Sequence, residues 1–161
     1  MNWRQFEDGC PELAEIARRR FADDELVLIG TLRRDGSPRI SPVEPDFVSG
    51  ELLVGMMWRT LKALDLLRDP RLTVHSLPSD RMNPRGDVKL YGRARAIDEK
   101  GLRRHYEDAV FARIDWRPTE PYHCFAIDVE RAGFVRFEER LWEWWSWDPD
   151  SGLRKEEKPN E

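Results

Sequence analysis

The sequence predicts a mainly β protein, an antiparallel barrel carrying a few helices. Two observations support this. Eight segments read as strands, few helices lie among them, and the connections are short. The strands do not alternate with helices, as a doubly wound sheet requires. There is no internal repeat or low-complexity linker where a second domain would begin. The expected organisation is one barrel domain over residues 1–147 and a charged, loose tail over residues 148–161.

Pro11 to Phe21 reads as the first helix. Pro11 suits the first helical position, and Glu12 and Glu15 suit the positive end of the dipole. Leu13, Ile16, Ala17 and Phe21 form an apolar stripe at helical spacing. Arg18, Arg19 and Arg20 are expected on a solvated face near the negative end. Leu26 to Leu32 is short, apolar and partly β-branched, so it reads as a buried strand. Arg34-Asp35-Gly36-Ser37 is a hairpin turn, and Arg39 to Val48 the returning strand. Pro42 and Pro45 withhold two ladder donors from that strand, which puts it at an edge or a bend. After Ser49-Gly50, Glu51 to Met56 is the third strand of a meander.

Thr60 to Asp69 reads as a helix stopped by Pro70. Leu72 to Leu77 is a strand, and Pro78 to Gly86 a polar loop placed near the substrate pocket. Asp87 to Ile97 alternates well, and Gly92 within it marks a bulge or a close backbone approach. A helix from Asp98 to about Phe111 follows, capped by Asp98, with Leu102, Tyr106, Ala109 and Val110 inward. His123 to Val129, Gly133 to Phe137 and Leu141 to Trp147 complete the strands. The last is aromatic on both faces, Trp142 and Trp144 against Trp145 and Trp147, so it needs two covers. One is the barrel and the other is expected to be a second subunit.

The totals exclude several classes. Among 161 residues, 40% are apolar and 36% charged, which suits a globular domain with a real core. A net charge of −4 offers no general attraction to nucleic acid or anionic membrane. No apolar run approaches the roughly 20 residues of a bilayer span. The acid-bearing N-terminus has no apolar signal core, so a cytoplasmic location is expected. Cys10 and Cys124 are too few and too far apart for a disulfide scaffold. His75, His105 and His123 are scattered, and adjacent His123 and Cys124 would face opposite sides of a strand, so no metal site is expected. The nucleophile elbow and both familiar glycine-rich nucleotide loops are missing. No catalytic residue is assigned.

One corner does carry chemistry. The apolar run Leu52-Leu53-Val54 leads through Gly55-Met56-Met57-Trp58-Arg59 into the helix that begins at Thr60-Leu61-Lys62. The Thr60 hydroxyl is placed to cap that helix. The free N–H groups of the first turn, the dipole and Lys62 suit an anion, above all a phosphate. Arg39 lies on a strand that a meander would bring alongside. Met56, Met57 and Trp58 are soft or flat groups able to pack on a planar ring. A plain helix cap, a solvated lysine and core methionines would look the same in sequence.

From Leu13 to Ile97 the chain resembles the pyridoxamine 5′-phosphate oxidase-like, FMN-binding split β-barrel family. The resemblance runs through Thr31-Leu32-Arg33-Arg34-Asp35-Gly36-Ser37-Pro38-Arg39-Ile40-Ser41-Pro42, Leu53-Val54-Gly55-Met56-Met57 and Thr60-Leu61-Lys62. It continues through Arg68-Asp69-Pro70-Arg71 and Val88-Lys89-Leu90-Tyr91-Gly92-Arg93-Ala94. The resemblance implies a split antiparallel barrel in which Arg39, Thr60 and Lys62 hold the FMN phosphate. Ile40, Ser41, Pro42, Gly55, Met56 and Met57 would then lie along the ribityl chain and ring. It further implies a homodimer with the cofactor at the subunit interface, acting as a flavin-dependent oxidoreductase on a small-molecule substrate. Two departures matter. Leu61 stands where family members often carry arginine, and the arginine-rich C-terminal substrate motif is missing, so production of pyridoxal phosphate is not expected. A deazaflavin coenzyme is the alternative cofactor. A non-catalytic flavin or tetrapyrrole binding protein is the alternative function.

Overall fold

The computed structural model describes residues 1–78, 85–137 and 141–159. Helices α1 (Trp3–Gly9) and α2 (Pro11–Asp24) open the chain. Strands β1 (Val27–Leu32), β2 (Pro38–Val43), β3 (Pro45–Val48) and β4 (Glu51–Met57) follow. Then come α3 (Leu61–Arg68), β5 (Arg71–Ser76), β6 (Asp87–Ala96) and α4 (Lys100–Ile114). The chain finishes with β7 (Tyr122–Phe137), β8 (Leu141–Asp148) and β9 (Gly152–Pro159). All strand pairs are antiparallel, in the order β2-β1-β5-β6-β7-β4-β3, with β8 and then β9 added beside β7.

The stretch expected to be one returning strand, Arg39 to Val48, is two. It breaks at Glu44, and β2 and β3 become opposite ends of the strand order. This is where proline is tolerated, because an edge strand has one row of unpaired backbone groups. No ladder joins β2 to β3, so the barrel is split along this seam. The hairpin turns form as expected, with Gly36 at φ +84° and Gly50 at φ +81°. At Gly92 the β6–β7 register shifts, and an added Cβ there would lie 2.0 Å from the Asp128 carbonyl oxygen.

Two apolar cores explain the unbroken run in β4. Leu52, Val54 and Met56 face the barrel interior with Val27, Ile29, Leu90, Phe125 and Ile127. Leu53 faces the other way, against Tyr106, Val110, Tyr122 and Cys124 under α4. A strand covered on both faces loses its alternation. Both cysteines are buried and unpaired.

Several expectations are corrected. Helix α1 was not foreseen. A capping box formed by Asn2 and Gln5 starts it, and Trp3 and Phe6 anchor it in the barrel core. The arginine run is not a solvated face. Arg18 lies over Phe47 at 4.3 Å, Arg20 is buried, and only Arg19 is exposed. The run sits in mid-helix because α2 continues to Asp24. Glu99, not Asp98, caps α4, accepting from Gly101 N and Leu102 N. The two strands expected over residues 123–129 and 133–137 are one, β7, whose far edge carries β4 first and β8 later. The tail is not loose through Pro159, since β9 pairs along all of β8. Alternating charge hid that strand, while Lys155 and Lys158 lie over the Trp145 and Trp144 rings. The doubly aromatic reading of β8 holds. Trp147 packs on Phe6 of α1 at 4.9 Å, while Trp142 on the other face is exposed. Of the loop expected near substrate, Pro78 to Gly86, residues 79–84 lie outside the described residues. Among the described residues no helix is long and apolar enough to cross a membrane.

Candidate functional site

The corner between β4 and α3 is built by local sequence. β4 ends at Met57, and Arg59 takes φ +57° to turn the chain. Thr60 occupies the N-cap position, but its hydroxyl does not cap. It donates instead to the Met57 carbonyl at 3.1 Å and closes the turn. The first helical bond is Leu64 N to Thr60 O. Among the described residues, nothing accepts from the N–H groups of Lys62 and Ala63. The predicted cap is thus corrected, and the helix start is left more open than expected.

Lys62 reaches across the seam, and its Nζ donates to the Pro42 carbonyl at 3.0 Å. It has no carboxylate partner among the described residues. Burial pushes its ammonium pKa below the ordinary lysine value, because charge is costlier away from water. One bond leaves two of its three donors for another acceptor.

Arg39 is committed elsewhere. Its Nε donates to Asp65 Oδ2 at 2.7 Å, and Asp65 also accepts from Thr31 Oγ1 at 3.1 Å and Arg68 Nη1 at 3.4 Å. Burial alone would raise the Asp65 pKa, but the bonds from Arg39 and Thr31 outweigh it and hold the carboxyl below its ordinary range. Arg39 therefore sits beside the second turn of α3, while Thr60 and Lys62 sit at its first.

Two hollows flank this corner. The larger, about 510 Å³, is lined by Pro42, Gly55, Met56, Met57 and Lys62 of the predicted set. Trp58, Tyr106, Trp116 and Tyr122 complete its aromatic wall. That volume is within the range of small-molecule sites, ~300–1,000 Å³. The smaller, about 320 Å³, takes Arg39 and Ile40 with Tyr91 and Arg131. The structure thus gathers five of the ten predicted residues at one cavity and turns two toward another. Ser41 is half-buried, Thr60 serves the turn, and Leu61 projects outward at 63% exposure.

Several lining residues escaped sequence reasoning. Tyr106 lies so close over Gly55 that an added Cβ would sit 2.2 Å from its hydroxyl oxygen. On α4 its spacing marked it only as core. Burial raises its pKa, and that of Tyr122, whose hydroxyl donates to Glu107 Oε1 at 3.0 Å. Both stay neutral at physiological pH; among the described residues lining the cavity, Lys62 is the one cation and Glu44 the one carboxylate. Trp116 comes from the loop after α4, where no periodicity signals a role. His123 stacks on Trp58 at 4.5 Å and accepts from Arg59 N at 3.2 Å, fixing the turn that leads into α3. The register that places His123 opposite Met56 is not visible in sequence.

No family model matches the sequence, and no curated protein matches it. Solved structures do match the fold. A heme binding protein from Mycobacterium smegmatis superposes with a TM-score of 0.67 at 23% identity, over 86% of this chain and 58% of that one. The chain thus spans little more than half the length of that protein. A Clostridium acetobutylicum protein related to general stress protein 26, of the pyridoxinephosphate oxidase family, gives a TM-score of 0.66 at 14% identity. That match covers 87% of this chain and 96% of the other. The heme storage protein HutZ from Vibrio cholerae gives 0.60 at 12% identity, over 73% and 90%. The fold is the split antiparallel β-barrel of pyridoxamine 5′-phosphate oxidase-like proteins.

Proposed function

We propose that this split barrel binds FMN at the β4–α3 corner and acts as a flavin-dependent oxidoreductase on a small molecule. One observation carries the reading: Lys62 is an ammonium without a carboxylate partner among the described residues, at the rim of an aromatic cavity of about 510 Å³. A phosphate there would accept from Lys62 and from the open N–H groups of the first turn of α3. Arg39, whose Nε is held by Asp65, lines the neighbouring hollow rather than this cavity. A flat ring would lie against Met56, Met57 and Trp58, with Trp116 across the cavity. Bound FMN would supply the electron-transfer chemistry. The chain supplies position, a dry wall and a positive charge.

A homodimer goes with this reading. Leu61, Leu64 and Leu67 of α3 are exposed, as are Ile40 of β2 and Met57 at the end of β4, at 71% and 77%. An apolar strip of this kind beside the cavity suits an identical partner that closes it.

The test is a titration of purified protein with FMN, followed by flavin fluorescence. Lys62→Ala should weaken binding by about tenfold to a hundredfold, the worth of one charge-assisted bond. Equal affinity in that variant would refute the corner as the phosphate site. A deazaflavin coenzyme, which also pairs a phosphate with a flat ring, is the competing ligand in the same titration. A non-catalytic tetrapyrrole carrier is the second reading, favoured by fold neighbours described as heme binding and heme storage proteins. Heme binding with no response to FMN would select it.

A further inference from the structure

A groove of about 360 Å³, sharing no lining residue with the β4–α3 cavity, lies between α2 and the β7–β8 ribbon. Arg19 and Arg20 of α2, Arg85, and Arg136 of β7 line it, with Phe134 and Trp145 as an apolar floor. Those two rings meet edge to face at 5.4 Å. Its carboxylates are already engaged. Glu143 accepts from Arg136 Nη2 at 2.8 Å and from Trp145 Nε1 at 2.6 Å. Asp23 is 3.8 Å from Arg85, which also donates to Asp24 at 2.7 Å.

The guanidinium of Arg20 is the anomaly. It is 3% exposed, donates from Nη2 to the Leu77 carbonyl and lies 3.2 Å from Asp24 Oδ2. Among the described residues its Nε and Nη1 have no acceptor, and Asp24 Oδ2 beside it has no hydrogen-bond donor. A buried donor without a partner forfeits its water and gains nothing, so native proteins seldom keep one unless something else meets it. Arg19, the neighbouring residue, is exposed and has no ion pair among the described residues. Two adjacent arginines thus share a groove with two aromatic rings, one face of Trp145 being covered by Lys155 at 4.0 Å.

We propose that this groove binds a small organic anion, a carboxylate or phosphate monoester carried on a flat apolar body. The anion is held by Arg19 and Arg20, and the body rests on Phe134 and Trp145. A planar oxyanion matches the guanidinium fork, and the rings supply the stacking surface. The site is independent of the β4–α3 corner and of its occupant.

Isothermal titration of the full chain with benzoate and with phenyl phosphate tests this. At least one probe should bind saturably at one site per chain, and the tighter of the two identifies the head group. Arg19→Glu should weaken that probe by at least about tenfold, the loss of one charge-assisted bond. Arg19 is exposed and has no ion pair among the described residues, so the fold should survive the change. Arg20→Met should act in the same direction, and Lys62→Ala should leave binding unchanged. The proposal is overturned if neither probe saturates or if Arg19→Glu binds as the parent does. Loss of binding in Lys62→Ala alone would equally overturn it, by moving the anion to the β4–α3 corner.

Discussion

Replacing Asp65 with alanine should destabilise the protein and redirect Arg39. Asp65 is 4% exposed and receives three side-chain donors, from Arg39, Thr31 and Arg68. Removing one partner of a buried ion pair costs roughly 3–5 kcal/mol, because the other charge is left desolvated. Here the Arg39 side chain is 20% exposed and that of Arg68 37%, so both recover part of their hydration. The expected loss is therefore about 2–4 kcal/mol, below the fully buried value. For a chain of this size that lowers Tm by roughly 5–15 °C. Thermal unfolding followed by circular dichroism measures it. The double variant Asp65→Leu with Arg39→Met should recover much of the loss, since only the more exposed Arg68, which also donates to the Leu32 carbonyl, is then left without its carboxylate. The sign of the pH dependence is also fixed. The folded carboxyl titrates below its ordinary value, so its contribution is present above the unfolded pKa and is lost as pH falls through the folded one. Asp65→Asn should flatten the acid limb of the stability curve. A Tm for Asp65→Ala within a degree of the parent would refute the reasoning, as would a double variant that loses the sum of the two single effects.

Gly55→Ala should destabilise by about 1–3 kcal/mol, because the new methyl would lie 2.2 Å from the Tyr106 hydroxyl oxygen. Adding Tyr106→Phe should relieve only part of this, since the ring Cζ is still 2.9 Å away; a full rescue in denaturant titrations would show that the hydroxyl alone is the obstacle. Cys124 is buried and its thiol is pushed up to about 12, so native protein at pH 8 should resist thiol reagents at this position. Mass spectrometry after brief alkylation checks this, and rapid labelling of Cys124 without unfolding would contradict the burial.

Where one short-range rule acts alone, sequence was sufficient. Gly36 and Gly50 make the hairpin turns, Pro70 stops α3, and Gly92 marks the bulge. The limits of α3, Leu61 to Arg68, were legible because a strand end and a proline bracket it. What failed depends on partners distant along the chain. Arg20 looked solvated because a run of three arginines suits a surface, yet α2 turns that one position toward Leu77 and Asp24. Strand β9 was hidden because its charges lie over rings contributed by β8. At the candidate site, Lys62 and the residues of β4 were legible from the junction they form. Asp65 was not, because a lone aspartate on a helix gives no sign that Arg39, 26 residues earlier, reaches its Oδ2.

The opened barrel leaves backbone edges that could recruit further chains, and each is guarded. Strand β2 carries Pro38 and Pro42, β3 begins at Pro45, and β9 pairs only with β8, with Lys155, Glu156, Glu157, Lys158 and Pro159 along it. Proline and charge are how sheet proteins prevent unpaired strands from templating fibrils and aggregates. A protein that keeps its cylinder unclosed, with a cavity beside the slit, runs this risk continuously. At the slit the safeguard includes Pro42, the residue whose carbonyl also holds Lys62.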